Sequence, residues 1–293
     1  MLCWAVSPIL IRYVREWFSV SFQNFYRFGI SIAILWIFTL LNSPKGGIKA
    51  ALKQVRYPLP KLLCIAVCNF AHQFFLIKGV YTLLPGLVTI VEESTIIFTV
   101  ALAFAFLPEE RSFIKSPRFI AGIVLAVAGV IVTAVPDLSG TQSASYSGAA
   151  FGIVFILVSS FAWAVFSLLI RLWLPEMPSS ITSSLVFTLV VPFFLISMLA
   201  GGSDILPASV PAAGWFILSV SGVLGIGIAY PCYYTALKGL GVTLTSSLGL
   251  LIPIMTAAIS FFVFDEVLGP VQTAGAAMLL GGCFIVVRTK FSL

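Results

Sequence analysis

The stretch WAVSPILIR at residues 4–12 returns as WAVFSLLIR at residues 163–171, with six identities in nine positions. Further landmarks recur in the same order in both halves of the chain. They are the pair Lys78-Gly79 and Lys238-Gly239, Phe104 with Glu109 and Phe261 with Glu266, and Gly122 with Gly129 and Gly275 with Gly282. Ordered self-similarity of this kind indicates an internal duplication and predicts that each half folds into the same set of elements.

The chain is too apolar for a water-soluble globule. Of its 293 residues 60% are hydrophobic and 9% are charged, whereas soluble proteins carry about 25% charged residues. The apolar runs are long and continuous, and they do not alternate as the strands of a membrane β-barrel do. They predict helices that cross a bilayer, because every backbone group in hydrocarbon must find its partner within the segment.

Ten apolar runs are candidate membrane spans, and the first is shorter than the ~20 residues that a spanning helix needs. Its brevity predicts that the chain begins partway into its first helix. The runs cover residues 2–13, 22–41, 59–80, 85–107, 119–135, 149–174, 181–200, 212–237, 243–264 and 271–287. The polar stretch 136–147 lies between the first five and the last five. It predicts two repeats, at residues 1–137 and 146–290.

Basic residues mark one side of the predicted membrane. The connection 42–61 carries five basic residues and no acid, whereas 136–147 carries only Asp137. The positive-inside rule then places both termini in the cytoplasm, in a cell (inner or plasma) membrane. Because five spans per half is an odd number, the second half must enter from the opposite side. The predicted fold class is all-α integral membrane, with ten transmembrane helices as two inverted five-helix repeats.

Inverted repeats are typical of secondary transporters, whose halves exchange inward-open and outward-open states around a midplane site. The net charge of +6 does not indicate a nucleic-acid partner, because the basic residues are concentrated in connections between spans. No G-x-x-x-x-G-K-[ST] loop occurs, which argues against an ATP-driven pump. The five cysteines complete no metal site, and we expect no cofactor. We predict a transporter of small organic solutes; a membrane-embedded enzyme or a lipid-moving protein is the alternative.

The same landmarks resemble the drug/metabolite transporter superfamily, of the EamA type. The resemblance is carried by the WAV motifs at Trp4 and Trp163, Arg27, the Lys-Gly pairs, the acidic ends of the fourth helices (PEE at 108–110, FDE at 264–266) and the glycine-rich fifth helices. It covers nearly the whole chain. It implies ten helices in two inverted repeats and metabolite export across a cytoplasmic membrane.

Two adjacent acids interrupt the fourth apolar run. Glu92 and Glu93 lie about ten residues from the turn near Thr82, which places them ~15 Å deep in a helix, near the midplane. A charged group there costs at least ~2.5 kcal/mol, so function is the first hypothesis and helix–helix adhesion the alternative. Glu92 shares a helix face with Thr89, Thr95 and Thr99, so we expect Glu92 to face the cavity and Glu93 a neighbouring helix.

A polar stripe precedes these acids on the third run, formed by Asn69, His72 and Gln73. His72 is the only histidine, and an antiparallel hairpin would bring it to the depth of Glu92. The two side chains would then relay protons. Hydrogen bonds that only join helices are the alternative.

Aromatic residues are candidates for the cavity wall, because small-molecule sites are mostly apolar and aromatic. The candidates are Trp4, Trp163, Tyr230, Tyr233 and Tyr234. The repeat relates the two tryptophans, so both are expected to face the central axis; ordinary packing is the alternative for each tyrosine. Arg27, near the start of the second span, either contacts the substrate or extends its head group to the membrane interface.

Overall fold

The computed structural model describes residues 1–41, 59–106, 115–138, 149–174, 177, 179–201, 209–233, 249, 251–265 and 267–291, and their regular structure is helical. The helices are α1 Leu2–Tyr13, α2 Val20–Leu41, α3 Leu59–Thr82, α4 Pro85–Glu92, α5 Thr95–Phe106, α6 Pro117–Leu138, α7 Ala149–Trp173, α8 Ser179–Ala200, α9 Ala212–Gly222, α10 Leu251–Phe264 and α11 Pro270–Phe291. A π-helical segment, Val223–Ile228, continues α9, and the backbone remains helical to residue 233.

Within the described ranges, helices lie on each of the apolar runs read from the sequence. Six segments are long and apolar enough to cross a membrane: Val20–Leu41, Leu59–Thr82, Pro85–Phe106, Ala150–Trp173, Ser180–Ala200 and Ala212–Tyr233. Four apolar helices are shorter: Leu2–Tyr13, Pro117–Thr133, Leu251–Phe264 and Pro270–Val286. The prediction of a helical, multi-pass membrane protein is therefore confirmed.

The distribution of polarity is that of a protein in lipid. Large apolar side chains cover the outside, as Phe262 does with 82% of its surface exposed and Phe216 with 70%. Polar side chains are buried inside, among them Gln23, Asn24 and Arg27. The bilayer solvates the apolar exterior. The specific contacts between helices are therefore made by the buried polar side chains.

The fourth predicted span is present as Pro85–Phe106, but its helix is interrupted. α4 ends at Glu92 and α5 begins at Thr95. At the break the Glu93 amide donates to the carbonyl of Ile90 (3.2 Å) and the Ser94 amide to that of Val91 (3.0 Å). These tighter i→i+3 bonds change the helical phase. The spacing that would put Glu92 and Thr95 on one face does not apply across the break.

α6 and α11 approach each other through the four glycines of the repeat. A Cβ added to Gly129 would lie 2.7 Å from the carbonyl oxygen of Gly275, and one added to Gly282 would lie 2.6 Å from that of Gly122. Only glycine permits backbones to pass this closely. Because Gly122 meets Gly282 while Gly129 meets Gly275, the two helices run antiparallel.

Helices from both halves of the chain form the centre. α3 packs along α7, and α1 packs on α9 and its π-helical continuation. α3 and α7 also run antiparallel, with Gly79 against Ile156 and His72 against Ser159. This arrangement brings the polar stripe of α3 to the second WAV motif on α7.

Candidate functional site

The repeat-related tryptophans lie on either side of one buried tyrosine. The ring centroid of Tyr230 is 5.6 Å from that of Trp4 and 6.0 Å from that of Trp163. Tyr233 lies 5.0 Å from Trp4, whose indole Nε1 donates to the Gly225 carbonyl at 3.1 Å. The two halves of the chain thus contribute one aromatic wall.

Polar side chains of α3 adjoin this wall. The His72 ring lies 4.8 Å from that of Trp163, and its Nδ1 is 2.9 Å from the Ser159 hydroxyl. The same hydroxyl donates to the His72 carbonyl at 3.0 Å. Gln73 Nε2 donates to the Tyr230 hydroxyl at 3.4 Å. These hydrogen bonds hold the His72 imidazole of α3 against α7, beside an aromatic surface suited to a small organic molecule.

The two glutamates occupy the break between α4 and α5, and side chains from two other helices stabilise it. The Ser160 hydroxyl on α7 donates to the Glu92 carbonyl at 3.2 Å. The Cys283 thiol on α11 lies 3.8 Å from the Glu93 carbonyl oxygen. Carbonyls released by an interrupted helix need such donors inside a membrane protein.

His72 and Glu92 are connected through consecutive residues of α7. Among the described residues the imidazole hydrogen-bonds to Ser159, whereas the Glu92 backbone accepts from Ser160. Both residues therefore contact α7, and the direct pairing of their side chains stays a prediction.

Arg27 is buried inside the protein, with only 2% of its surface exposed. Its Nη2 donates to the Ser7 hydroxyl on α1 at 3.1 Å. The alternative of an interfacial head group therefore does not fit. Asn69 is also fully buried, and neither amide atom has a partner among the described residues. Tyr234 lies outside the described residues.

A second polar stripe, on α2, was missed by the sequence analysis. Gln23 Nε2 donates to the Tyr81 hydroxyl at 3.0 Å, and Asn24 Nδ2 donates to the Gln73 carbonyl at 3.3 Å. With Arg27 these residues occupy one face of α2. Arg27 follows Asn24 by three positions and Gln23 by four, and polar residues at these helical spacings are the signal that would have found them.

The arginine of the first repeat motif closes the end of α3. Arg12 Nη1 donates to the carbonyls of Val80 (3.2 Å) and Leu83, and Arg15 donates to that of Tyr81 at 3.1 Å. Cations at a helix C-terminus satisfy its free carbonyls and complement its dipole. The motif at residues 4–12 therefore supplies both Trp4 of the aromatic wall and Arg12, which caps α3.

Known proteins share both the sequence pattern and the fold. Residues 1–135 and 150–288 match the EamA-like transporter family. The chain is 30% identical over 235 residues to a "Probable amino-acid metabolite efflux pump" of Salmonella typhimurium, covering 76% of this chain and 73% of that protein. An Escherichia coli protein of the same description is 27% identical over 237 residues, with the same two coverages.

More distant similarities extend over the full length. An uncharacterized transporter of Archaeoglobus fulgidus is 27% identical over 293 residues, covering 97% of this chain and 93% of the relative. A protein of known crystal structure has the same fold with a TM-score of 0.67 at 17% identity, covering 100% of this chain and 95% of that one. The chain therefore belongs to the EamA-like transporter family and is a multi-pass membrane transporter of small metabolites, not an enzyme.

Proposed function

We propose that the protein is a secondary exporter of amino-acid metabolites that works by alternating access. The observation that carries the proposal is the aromatic and polar centre, to which α1 and α3 of the first half and α7 and α9 of the second half all contribute. A site between two halves is accessible from alternate sides when the halves rock against each other. The descriptions of two relatives as amino-acid metabolite efflux pumps support the substrate class and the direction.

The two halves, residues 1–137 and 146–290, are proposed to be inverted five-helix repeats. Support comes from the glycines of α6 and α11, since Gly122 corresponds to Gly275 and Gly129 to Gly282 in the repeat. If each glycine is replaced by its equivalent in the other half, the Gly122–Gly282 contact becomes the Gly275–Gly129 contact, which is also present. A two-fold axis between antiparallel helices produces this reciprocity. The cytoplasmic placement of both termini, in the cell membrane, rests on the distribution of basic residues.

Glu92 is the proposed coupling group. It lies where a membrane-spanning segment is interrupted, and interrupted helices are where transporters place ion and substrate sites. An ionisable group at this depth is a functional hypothesis by default. Ser159 and Ser160 connect its backbone to the imidazole of His72, so a proton-dependent shift at the break reaches the aromatic centre through α7.

The test is transport by purified protein in liposomes with an imposed pH gradient. A panel of radiolabelled amino acids is offered, and at least one is expected to move across the membrane chemically unchanged and to accumulate with the gradient. Failure to move any of the panel, or conversion of a solute into a new species, contradicts the proposed function.

Glu92→Gln separates coupling from transport, because the amide keeps the shape but cannot carry the proton. The variant is expected to lose gradient-driven accumulation while solute exchange continues. Glu16→Gln is the matched control, since Glu16 is exposed and lies outside the helices. Unchanged accumulation by Glu92→Gln rejects Glu92 as the coupling group.

A further inference from the structure

Arg27 presents a buried charge that has no counter-charge among the described residues. Its Nε and Nη1 groups have no hydrogen-bond partner within the described residues, and Nη2 bonds only to the neutral Ser7 hydroxyl. The other electrostatic neighbours are the hydroxyls of Tyr230 and Tyr81. Buried guanidinium groups in proteins are paired with an anion, because desolvation of an unpaired charge is very costly. The fork of Nε and Nη groups matches a carboxylate in particular.

Acceptors without partners lie on the same face of α2. Gln23 Oε1 and Asn24 Oδ1 are buried and unpartnered among the described residues, four and three positions before Arg27. Residues at these spacings are ~5–6 Å apart on a helix. The helix face thus offers free donors at one end and free acceptors at the other.

Neighbouring hydrogen bonds fix which amide atoms remain free. Tyr81 donates its hydroxyl hydrogen to the Phe18 carbonyl at 2.6 Å, so the same oxygen accepts from Gln23 Nε2. Gln23 Nε2 also donates to the Ile11 carbonyl at 3.1 Å. Asn24 Nδ2 is likewise held by the Gln73 carbonyl. The oxygens of both amides are therefore the atoms that remain available, and oxygen is an acceptor only.

A glycine-rich segment of α9 covers this face. A Cβ on Gly225 would lie 3.1 Å from Arg27 Nη2 and 2.7 Å from Ser7 Oγ, and one on Gly222 would lie 3.0 Å from the Arg27 backbone. Gly225 belongs to the π-helical segment Val223–Ile228. π-Helical insertions are rare and occur frequently at functional sites. The segment covers the face and would have to move for a solute to reach it.

We propose that the Gln23–Asn24–Arg27 face of α2 binds the zwitterionic head group of an α-amino acid. Arg27 donates to the α-carboxylate from its guanidinium N–H groups, and the amide oxygens of Gln23 and Asn24 accept from the α-ammonium group. Gln73, which accepts from Asn24 and donates to Tyr230, connects this subsite to the two tryptophans around Tyr230, so the amino-acid side chain extends along the aromatic wall. The inference rests on the proposed function and assigns the head-group subsite within it.

The first test uses the wild-type protein in liposomes and the amino acid of the panel that it transports best. Competing solutes are the corresponding decarboxylated amine and the corresponding acid without its amino group. Each is expected to compete about tenfold or more less strongly than the amino acid, because each leaves buried charged or polar groups unpaired. Equal competition by the amine overturns the assignment of Arg27, and equal competition by the deaminated acid overturns that of Gln23 and Asn24.

The second test separates recognition from structural support. Arg27→Gln is expected to weaken competition by the amino acid about tenfold or more while leaving the amine's weak competition unchanged. A purely structural role would weaken both solutes alike and would overturn the proposal. If Arg27→Gln does not fold, the competition assay with the wild-type protein still tests the assignment of Arg27. Transport of amino acids with no head-group selectivity rejects the subsite alone, whereas absence of amino-acid transport rejects the proposed function.

Discussion

The α6–α11 interface and the aromatic centre descend from the same duplication but differ in how much of it they retain. At the interface the glycines of the two halves are identical and make reciprocal contacts. At the centre the tryptophans are retained, whereas α3 and α9 have diverged. Six residues before the lysine of each Lys-Gly pair lies His72 in α3, in the first half, and Cys232 in the helical segment that continues α9, in the second half. In the proposed alternating-access mechanism, the α6–α11 interface retains the symmetry of the duplication, whereas the aromatic centre has lost it.

The largest expected effect is on the symmetric interface. Gly129→Ala places a methyl group against the backbone of α11, where no side chain can move aside. We expect a loss of about 1–3 kcal/mol in stability, seen as a lower melting temperature and less monodisperse protein in detergent. Its repeat partner Gly282→Ala is expected to cause a similar loss.

A neighbouring glycine provides the control for that comparison. Gly281 also lies on α11, but a Cβ there would meet only Leu125 Cδ2, at 3.9 Å. Gly281→Ala is expected to leave the melting temperature unchanged. Equal tolerance of alanine at residues 129, 281 and 282 would show that close backbone contact does not hold α6 to α11.

The retained symmetry of the centre predicts that both tryptophans serve transport. Trp4→Ala and Trp163→Ala each remove one side of the wall around Tyr230. Each is expected to lower the initial transport rate about tenfold, since aromatic pairs contribute ~0.5–1.5 kcal/mol beyond the area they bury. Phe161→Ala is the control, because Phe161 lies on α7 but is 48% exposed. Wild-type rates in both tryptophan variants would assign these residues to packing.

The lost symmetry of the centre predicts unequal effects at equivalent positions. His72→Ala removes the hydrogen bond between the imidazole and Ser159 and is expected to slow transport about threefold, in line with ~0.6 kcal/mol per interhelical hydrogen bond in membranes. Cys232→Ala, at the corresponding exposed position, is expected to transport at the wild-type rate. Equal losses at both positions would mean that the site has remained symmetric.

The sequence predicted the positions of the helices, because membrane spans follow from continuous apolar runs and owe little to tertiary contacts. It did not predict the break after Glu92, which depends on donors from Ser160 and Cys283 on distant helices. Nor did it distinguish a buried Arg27 from an interfacial one, because the distance from a helix end says nothing about which neighbours cover the side chain. The π-helical segment in α9 left no sequence signal beyond its glycines.

The sidedness of repeat-equivalent connections tests the inverted arrangement most directly. Lys115 precedes α6 and Val267 precedes α11, and both are exposed. Single cysteines are introduced at each position after replacement of the five native cysteines, and intact cells are treated with a membrane-impermeant thiol reagent. The inverted arrangement predicts rapid labelling of Val267→Cys and labelling of Lys115→Cys only after permeabilisation. Labelling of both positions, or of neither, in intact cells would place the halves in the same orientation and contradict the inverted arrangement.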